Sequence, residues 1–487
     1  MRCTFGALFK SLGMITVVLS IAMLPPVLVC VYYGEHHAAA GLFHAIWVGF
    51  IVGMAMFLLL RHIHKEATVR DGFLLLAAIW IGASVFGAFP YYFADVITNP
   101  IDAFFESASG FSTTGATVLD DVESVPHGIL LWRSMTSWIG GLGILLFAVA
   151  LMPSLGINGT SVAEPDKPSV RINHITPKIR RICLGLFVSY TLMTLIETLL
   201  LFFGGMGFFD AVIHSLGTVS TGGFSNYNNG VMHFDSIFIR VVIVFFMIVA
   251  GTNFTMFYSF SRRGIKAFTE DTEYMAYWGI MIISFLLIFA GLFFINTGYY
   301  SHAGNAANSA FMAVSALTTT GYVSDNYILW PAFAQMILVL LMIIGGCSSS
   351  TSSGNKVVRL VVLAKLVLHG IQTRLHPNVV KPVKLNRKDV PNDTVSAVSN
   401  HMFLFVIIVF VGAFIMSLEN ISMDDCFTAT ISLMNNVGPC FGWIGTEGNF
   451  GNFSILTKIF MSFIMIAGRL EFYTILVMFT PGFWRAH

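Results

Sequence analysis

The chain of 487 residues is 56% hydrophobic and only 10% charged, with a mean hydropathy of +0.78 and a formal net charge of +1. Water-soluble domains carry about 25% charged residues, so this composition excludes a soluble globule and points to an all-α integral membrane protein. Six scattered cysteines show no ligand-like spacing, and nucleic acid is not an expected partner.

Apolar runs long enough to cross about 30 Å of hydrocarbon occur near 12–33, 42–60, 73–93, 128–151, 182–203, 237–260, 275–295, 329–344, 401–418 and 453–479. Arg2 and Lys10 precede the first as they would a signal peptide, but it is long for one and no Ala-x-Ala site follows, so a retained helix is expected. The first two runs have no later counterpart and read as an appended two-helix unit, residues 1–70.

Basic residues gather in alternate loops: Arg61, Lys65 and Arg70; Lys167, Arg171, Lys178, Arg180 and Arg181; Arg262, Arg263 and Lys266; and most densely over 356–388. The positive-inside rule makes these loops and both termini cytoplasmic. The intervening loops hold no Lys or Arg but many acids, among them Asp95, Asp102, Glu106, Asp120, Asp121, Glu123, Asp210, Asp235, Asp325, Glu419, Asp424, Asp425 and Glu447. Such carboxylates either concentrate cations at a pore mouth or simply solubilise the loops; an anion carrier would be poorly served by them.

Those acidic loops carry four polar segments around a glycine: Ser112-Thr113-Thr114-Gly115, Val219-Ser220-Thr221-Gly222, Thr318-Thr319-Thr320-Gly321 and Asn435-Asn436-Val437-Gly438, at intervals of 107, 99 and 117 residues. Asp102, Asn308 and Asp425 each precede their glycine by 13 residues and Asp210 precedes Gly222 by 12, marking the start of a short helix before each turn. About a dozen helical residues reach only about 18 Å, so these helices are expected to be re-entrant. The irregular turns after them are tolerated at membrane depth where they line a cavity. The expected architecture is four pseudo-symmetric helix, pore-helix, filter, helix repeats around one pore, at 71–175, 176–270, 271–390 and 391–487.

A cation crossing hydrocarbon must exchange water for fixed oxygen dipoles, which backbone carbonyls supply densely, and glycine allows successive carbonyls to turn inward. Thr114, Gly115, Thr221, Gly222, Thr320, Gly321, Val437 and Gly438 are therefore the expected filter residues, with the negative ends of the short helices favouring cations. The second helix of each repeat carries a polar residue, Arg133, Arg240, Gln335 or Lys458, which either snorkels to the outer interface or braces acids on the pore helices.

The third repeat is interrupted by Gly345-Gly346-Cys347-Ser348-Ser349-Ser350-Thr351-Ser352-Ser353-Gly354-Asn355, small and polar residues that cannot form a lipid-facing helix at mid-membrane depth. Gly345 to Gly354 is expected to be a gating loop beneath the filter, and Arg469, an intramembrane arginine, its partner.

With these features the chain resembles the TrkH/TrkG potassium uptake proteins, of the superfamily that includes the KtrB and HKT transporters. The likeness spans the appended unit, the four filter segments, the loop with Lys356-Val357-Val358-Arg359 after it, and Gly468-Arg469-Leu470-Glu471 through Phe479-Thr480-Pro481 to Phe483-Trp484-Arg485. It implies potassium as the transported and filter-bound ion, an inner-membrane homodimer with one pore per subunit, and a cytoplasmic nucleotide-binding regulatory partner of the TrkA type. It also implies potassium contact at Gly115, Gly222, Gly321 and Gly438, with the loop and Arg469 restricting the path below. Serine in place of the first filter glycine goes with sodium transport in the superfamily, and Gly115 keeps the potassium pattern. The loop departs from the family by Ser349, Ser353 and Asn355, and the fourth strand by Pro439-Cys440-Phe441-Gly442.

Alternatives remain within that class: a sodium- or proton-coupled potassium symporter, or a sodium-permeable transporter. A membrane enzyme using Ser348 to Ser353 or the histidines His36, His37 and His44 is disfavoured, since no base is in evidence beside the serines.

Overall fold

The computed structural model describes residues 2–62, 69–150, 177–294, 302–376, 382–386, 388–442, 444–445 and 448–484. Lys65, Lys167, Arg171, Glu447 and Arg485, singled out above, lie outside these residues. Among the described residues, apart from a two-residue antiparallel pairing of Lys384–Leu385 with Lys388–Asp389, the regular structure is helical.

An N-terminal unit of α1 (Arg2–Ala22), α2 (Leu24–Tyr33) and α3 (His36–Leu59) precedes the repeats. The first apolar run is thus two helices, restarting at Met23 ahead of Pro25 and Pro26, whose missing amide donors cost least in a first turn. This unit packs mainly against the first repeat, through α4 (Val69–Phe93) and α6 (His127–Ala150), and Tyr33 also meets Phe209 edge-on.

Repeat one is α4, the pore helix α5 (Pro100–Phe111) and α6; repeat two is α7 (Pro177–Phe203), α8 (Phe208–Val219), α9 (Ile237–Ala250) and α10 (Phe254–Arg263). After α11 (Lys266–Thr269), repeat three is α12 (Thr272–Phe294), α13 (His302–Leu317), α14 (Ala332–Ile344) and α15 (Val357–Leu375). Repeat four is α16 (Asn392–Met416), α17 (Met423–Met434), α18 (Ile455–Leu470) and α19 (Phe472–Leu476), with α20 (Pro481–Trp484) at the end.

Each pore helix packs between the two long helices of its own repeat and also against the second helix of the preceding one: α6 on α8, α9 on α13, α14 on α17, and α18 back on α5. That last contact closes the ring and gives four pseudo-symmetric repeats around one axis. Local chemistry fixes where the pore helices start. Asn99 caps α5 by accepting the Ile101 amide at 2.9 Å with Pro100 behind it, and Ser422 caps α17 by accepting the Asp425 amide at 3.1 Å. Three pore helices have 12 residues, as expected, whereas α13 begins at His302, ahead of Asn308, and has 16.

Among the described residues, seven of the ten apolar runs form helical spans long enough to cross a membrane, the first of them with its restart at Met23. The other three are broken. Run 237–260 stops at Ala250 and restarts at Phe254, run 329–344 is the 13-residue α14, and run 453–479 turns by 112° between α18 and α19. An interrupted second helix is therefore a property of repeats two, three and four, and not of the third alone.

Candidate functional site: a four-strand ring over a buried loop

The four segments after the pore helices adopt one backbone pattern, a left-handed threonine or asparagine followed two residues later by a left-handed glycine. The pairs are Thr113 and Gly115, Thr221 and Gly223, Thr319 and Gly321, and Asn436 and Gly438, with φ between 53° and 99°. The second pair corrects the register expected from sequence by one residue. Gly223 corresponds to Gly115, Gly321 and Gly438, while Gly222 occupies the place of Thr114, Thr320 and Val437. Helix ends agree, with Ser112, Ser220 and Asn435 as equivalent C-caps. In this register Asp210 precedes its glycine by 13 residues, like the other three.

The glycines are required by contact as well as by φ. A Cβ on Gly115 would fall under 3.0 Å from the Gly222 carbonyl oxygen, on Gly223 from that of Thr320, on Gly321 from that of Val437, and on Gly438 from that of Thr114. Each glycine thus backs onto the carbonyl before the next strand's glycine, and the sequence of contacts closes on itself. Above this ring is a vestibule of about 120 Å³ whose wall includes all four ring glycines with Asp120, Asn228 and Phe450.

Polar partners hold the strands from behind. Ser112 and Thr114 hydroxyls lie 2.7 Å apart, Thr318 and Thr320 hydroxyls 2.8 Å apart, and Asn436 Nδ2 donates to Thr114 Oγ1 at 2.9 Å and to the Met465 carbonyl at 2.8 Å. Glu106, fully buried, accepts from Thr117 Oγ1 and the Val118 amide and pairs with Arg133 Nε at 2.6 Å. Arg133 also donates to the Ser225 carbonyl of the second strand and lies over the Phe224 ring. Lys458 pairs with Asp102 at 2.6 Å across the closing α18 to α5 contact.

Of the two roles open for the polar residues on the second helices, Arg133 and Lys458 therefore brace acids on the first pore helix. Arg240 and Gln335 instead donate to loop carbonyls, Phe234 in one case and Tyr327, Ile328 and Trp330 in the other. Several acids of the outer loops are accordingly structural. Glu106, Asp102, Asp210 and Asp325 are bonded to Arg133, Lys458, Asn226 with Tyr227, and Asn308 with Trp330. Among the described residues, Asp120 is the acid that lines the vestibule.

Beneath the ring, residues 345–356 form a buried loop joining α14 to α15, with Cys347, Ser350, Thr351, Ser352, Ser353 and Asn355 all at or below 5% exposure. It docks into the break of repeat two: the Cys347 amide donates to the Gly251 carbonyl at 2.9 Å, Thr351 Oγ1 to the Ala250 carbonyl at 3.0 Å, and the Phe254 amide to the Ser349 carbonyl at 3.1 Å. Broken helix ends leave orphan backbone groups, and here the loop of another repeat satisfies them. At its start, Ser348 gives its hydroxyl to buried Glu273 at 2.6 Å, with its amide on the same carboxylate. At its far side the Ser353 amide donates to Thr319 Oγ1 at 2.8 Å, which ties the loop to the third filter strand.

Arg469 reaches the same loop. Its Nη1 donates to the Thr351 carbonyl and to Ser353 Oγ, each at 2.7 Å, while Nε and Nη2 are buried with no partner among the described residues. Glu471, two residues on, pairs instead with Arg359 of α15 at 2.7 Å. Thus Gly345 to Gly354 and Arg469, expected as one unit, are brought together. Sequence reasoning missed their supports: Gly251 and Ala250, Glu273, and Thr319 as a link to the loop. The signal present was the Gly251-Thr252-Asn253 interruption in an otherwise apolar run.

The family described as TrkH, cation transport protein, matches residues 39–485. The chain is 33% identical to the Trk system potassium uptake protein TrkH of Salmonella typhimurium over 485 residues, covering 99% of each. It is 32% identical to the Trk system potassium uptake protein TrkG of Escherichia coli, covering 97% of each. The crystal structure of the potassium transporter TrkH from Vibrio parahaemolyticus superposes with a TM-score of 0.90 at 30% identity, covering 99% of this chain and 100% of that one.

Proposed function

The chain belongs to the TrkH family of cation transport proteins, and on that premise we propose that it carries out potassium uptake through the four-strand ring. The observation that carries the reading is the closed cycle in which Gly115, Gly223, Gly321 and Gly438 each abut the carbonyl before the next strand's glycine. Such a ring offers a cation fixed oxygens in place of water, without a cost of reorganising them as it passes. Thr114, Gly222, Thr320 and Val437 supply those carbonyls, and Thr221 is the left-handed residue that aims the second strand. Chemistry of this kind transports and does not transform, so no enzymatic role is assigned.

The loop from Gly345 to Gly354 is the gate in this proposal. Arg469 places a positive charge below the filter, opposing a cation there, and fastens the loop through Thr351 and Ser353. The protein acts as a multi-pass component of the cytoplasmic membrane with both termini inside, as a homodimer, opened by a nucleotide-binding regulatory protein of the TrkA type. Alternating basic and acidic loops support the orientation.

The test is cation flux with purified protein in liposomes, with and without an imposed proton or sodium gradient. Potassium or rubidium entry that exceeds sodium entry and follows the potassium gradient alone fits this proposal. Entry that requires the second gradient establishes coupling, and absence of potassium flux with folded protein and its partner overturns it.

A further inference from the structure

Each filter strand continues one residue past its ring glycine to Ala116, Phe224, Tyr322 or Pro439. In three repeats the carbonyl of that residue is held by a serine six residues before the glycine. Ser109 donates to the Ala116 carbonyl at 2.6 Å, Ser315 to that of Tyr322 at 2.6 Å, and Ser432 to that of Pro439 at 2.7 Å. The corrected register places Gly217 at this position in repeat two, and it has no hydroxyl to give.

The Phe224 carbonyl is met instead by Tyr322 of the third repeat, whose hydroxyl lies 3.2 Å from it and 3.1 Å from the His214 carbonyl. Tyr322 is 1% exposed, and a Cβ on Gly217 would fall under 3.0 Å from its hydroxyl. Serine at 217 and tyrosine at 322 therefore compete for one space. One clamp of four has been moved to a neighbouring strand, and its donor is itself the residue following the third ring glycine.

We propose that Tyr322 is the positioning residue of the second filter strand, and that its cross-strand clamp on Phe224 sets discrimination between potassium and sodium. This rests on the filter reading above. A clamp shared by two strands resists independent movement of either. A carbonyl released from it is free to turn, so the ring adapts more readily to the smaller ion.

The experiment measures the potassium to sodium permeability ratio in liposomes for wild type, Tyr322→Phe, Gly217→Ser with Tyr322→Phe, and Gly115→Ser. Tyr322→Phe keeps the ring and loses the hydroxyl. The expected ratio falls ~5-fold, the worth of one net hydrogen bond. In the double variant the new serine occupies the vacated space, donates to Phe224 as Ser109, Ser315 and Ser432 do in their own strands, and returns the ratio toward wild type. A wild-type ratio in Tyr322→Phe while Gly115→Ser lowers it overturns the clamp and leaves the filter standing. A loss that the double variant does not repair also overturns it. No change in either Gly115→Ser or Tyr322→Phe removes the filter reading and the clamp with it. Should Tyr322→Phe fail to assemble, the double variant decides: a wild-type ratio supports the clamp and a lowered one refutes it.

Discussion

Gly222 and Gly223 are adjacent, yet alanine at the two positions should behave very differently. Gly223 has φ +67°, and a Cβ there would sit under 3.0 Å from the backbone carbonyl of Thr320. The left-handed conformation alone costs an alanine about 1–2 kcal/mol, and forcing a methyl into a packed contact typically costs about 1–3 kcal/mol more. Backbone cannot rotate away as a side chain can, so the second and third strands must part. Gly222 is not in the left-handed region, and its counterparts are Thr114, Thr320 and Val437, all with side chains. The nearest atom to its new Cβ is the Ser137 hydroxyl, which can turn at the loss of a 3.2 Å contact with Ser220 Oγ, worth about 1 kcal/mol. Rubidium uptake by cells lacking other potassium uptake, normalised to protein in the membrane, reads the difference. The expected result is a loss of more than ~10-fold for Gly223→Ala and less than ~5-fold for Gly222→Ala. Equal losses, or the greater loss at Gly222, would refute the corrected register.

Arg469→Gln removes charge-assisted bonds to Thr351 and Ser353, each worth about 1.5–3 kcal/mol, and should raise basal flux in the absence of the partner ~10-fold or more; wild-type flux from folded protein counts against the gate. Thr319→Val deletes the acceptor of the Ser353 amide, so hydrogen exchange at that amide should accelerate ~5-fold, and unchanged exchange shows that the bond does not hold the loop. Arg133→Met leaves Glu106 buried without its ion partner, an expense of about 3–5 kcal/mol that should lower the thermal midpoint; Glu106→Gln in the same chain should recover much of it, and lack of recovery would mean that Arg133 acts by packing alone.

Fourfold repetition was legible because polar residues stand out in a chain this apolar: Thr-Thr-Gly can be found by eye where the flanks are Leu, Ile and Phe. Register was harder. Val219-Ser220-Thr221-Gly222 looks like Ser112-Thr113-Thr114-Gly115, and only the 12-residue spacing from Asp210, against 13 elsewhere, hinted that Gly223 was the partner. Helix breaks divide in the same way. The serine-rich stretch after Ile344 was visible, since so many small polar residues cannot face lipid. The breaks after Ala250 and Leu470 were not, because a single Gly-Thr-Asn or a lone Glu471 fits within an apolar run. What opens them lies elsewhere in the chain, the 345–356 loop against Ala250 and Gly251, and Arg359 against Glu471. Likewise Arg133 and Lys458 could be recognised as costly residues, but whether they snorkelled or braced depended on Glu106 and Asp102 being within reach across the ring.

Anomalous scattering from protein crystallised in rubidium tests the central claim most directly. The account predicts rubidium on the axis between the carbonyl oxygens of Thr114, Gly222, Thr320 and Val437, and its loss in Gly223→Ala. Rubidium bound elsewhere in the helical bundle, with that ring empty in the wild type, would contradict it.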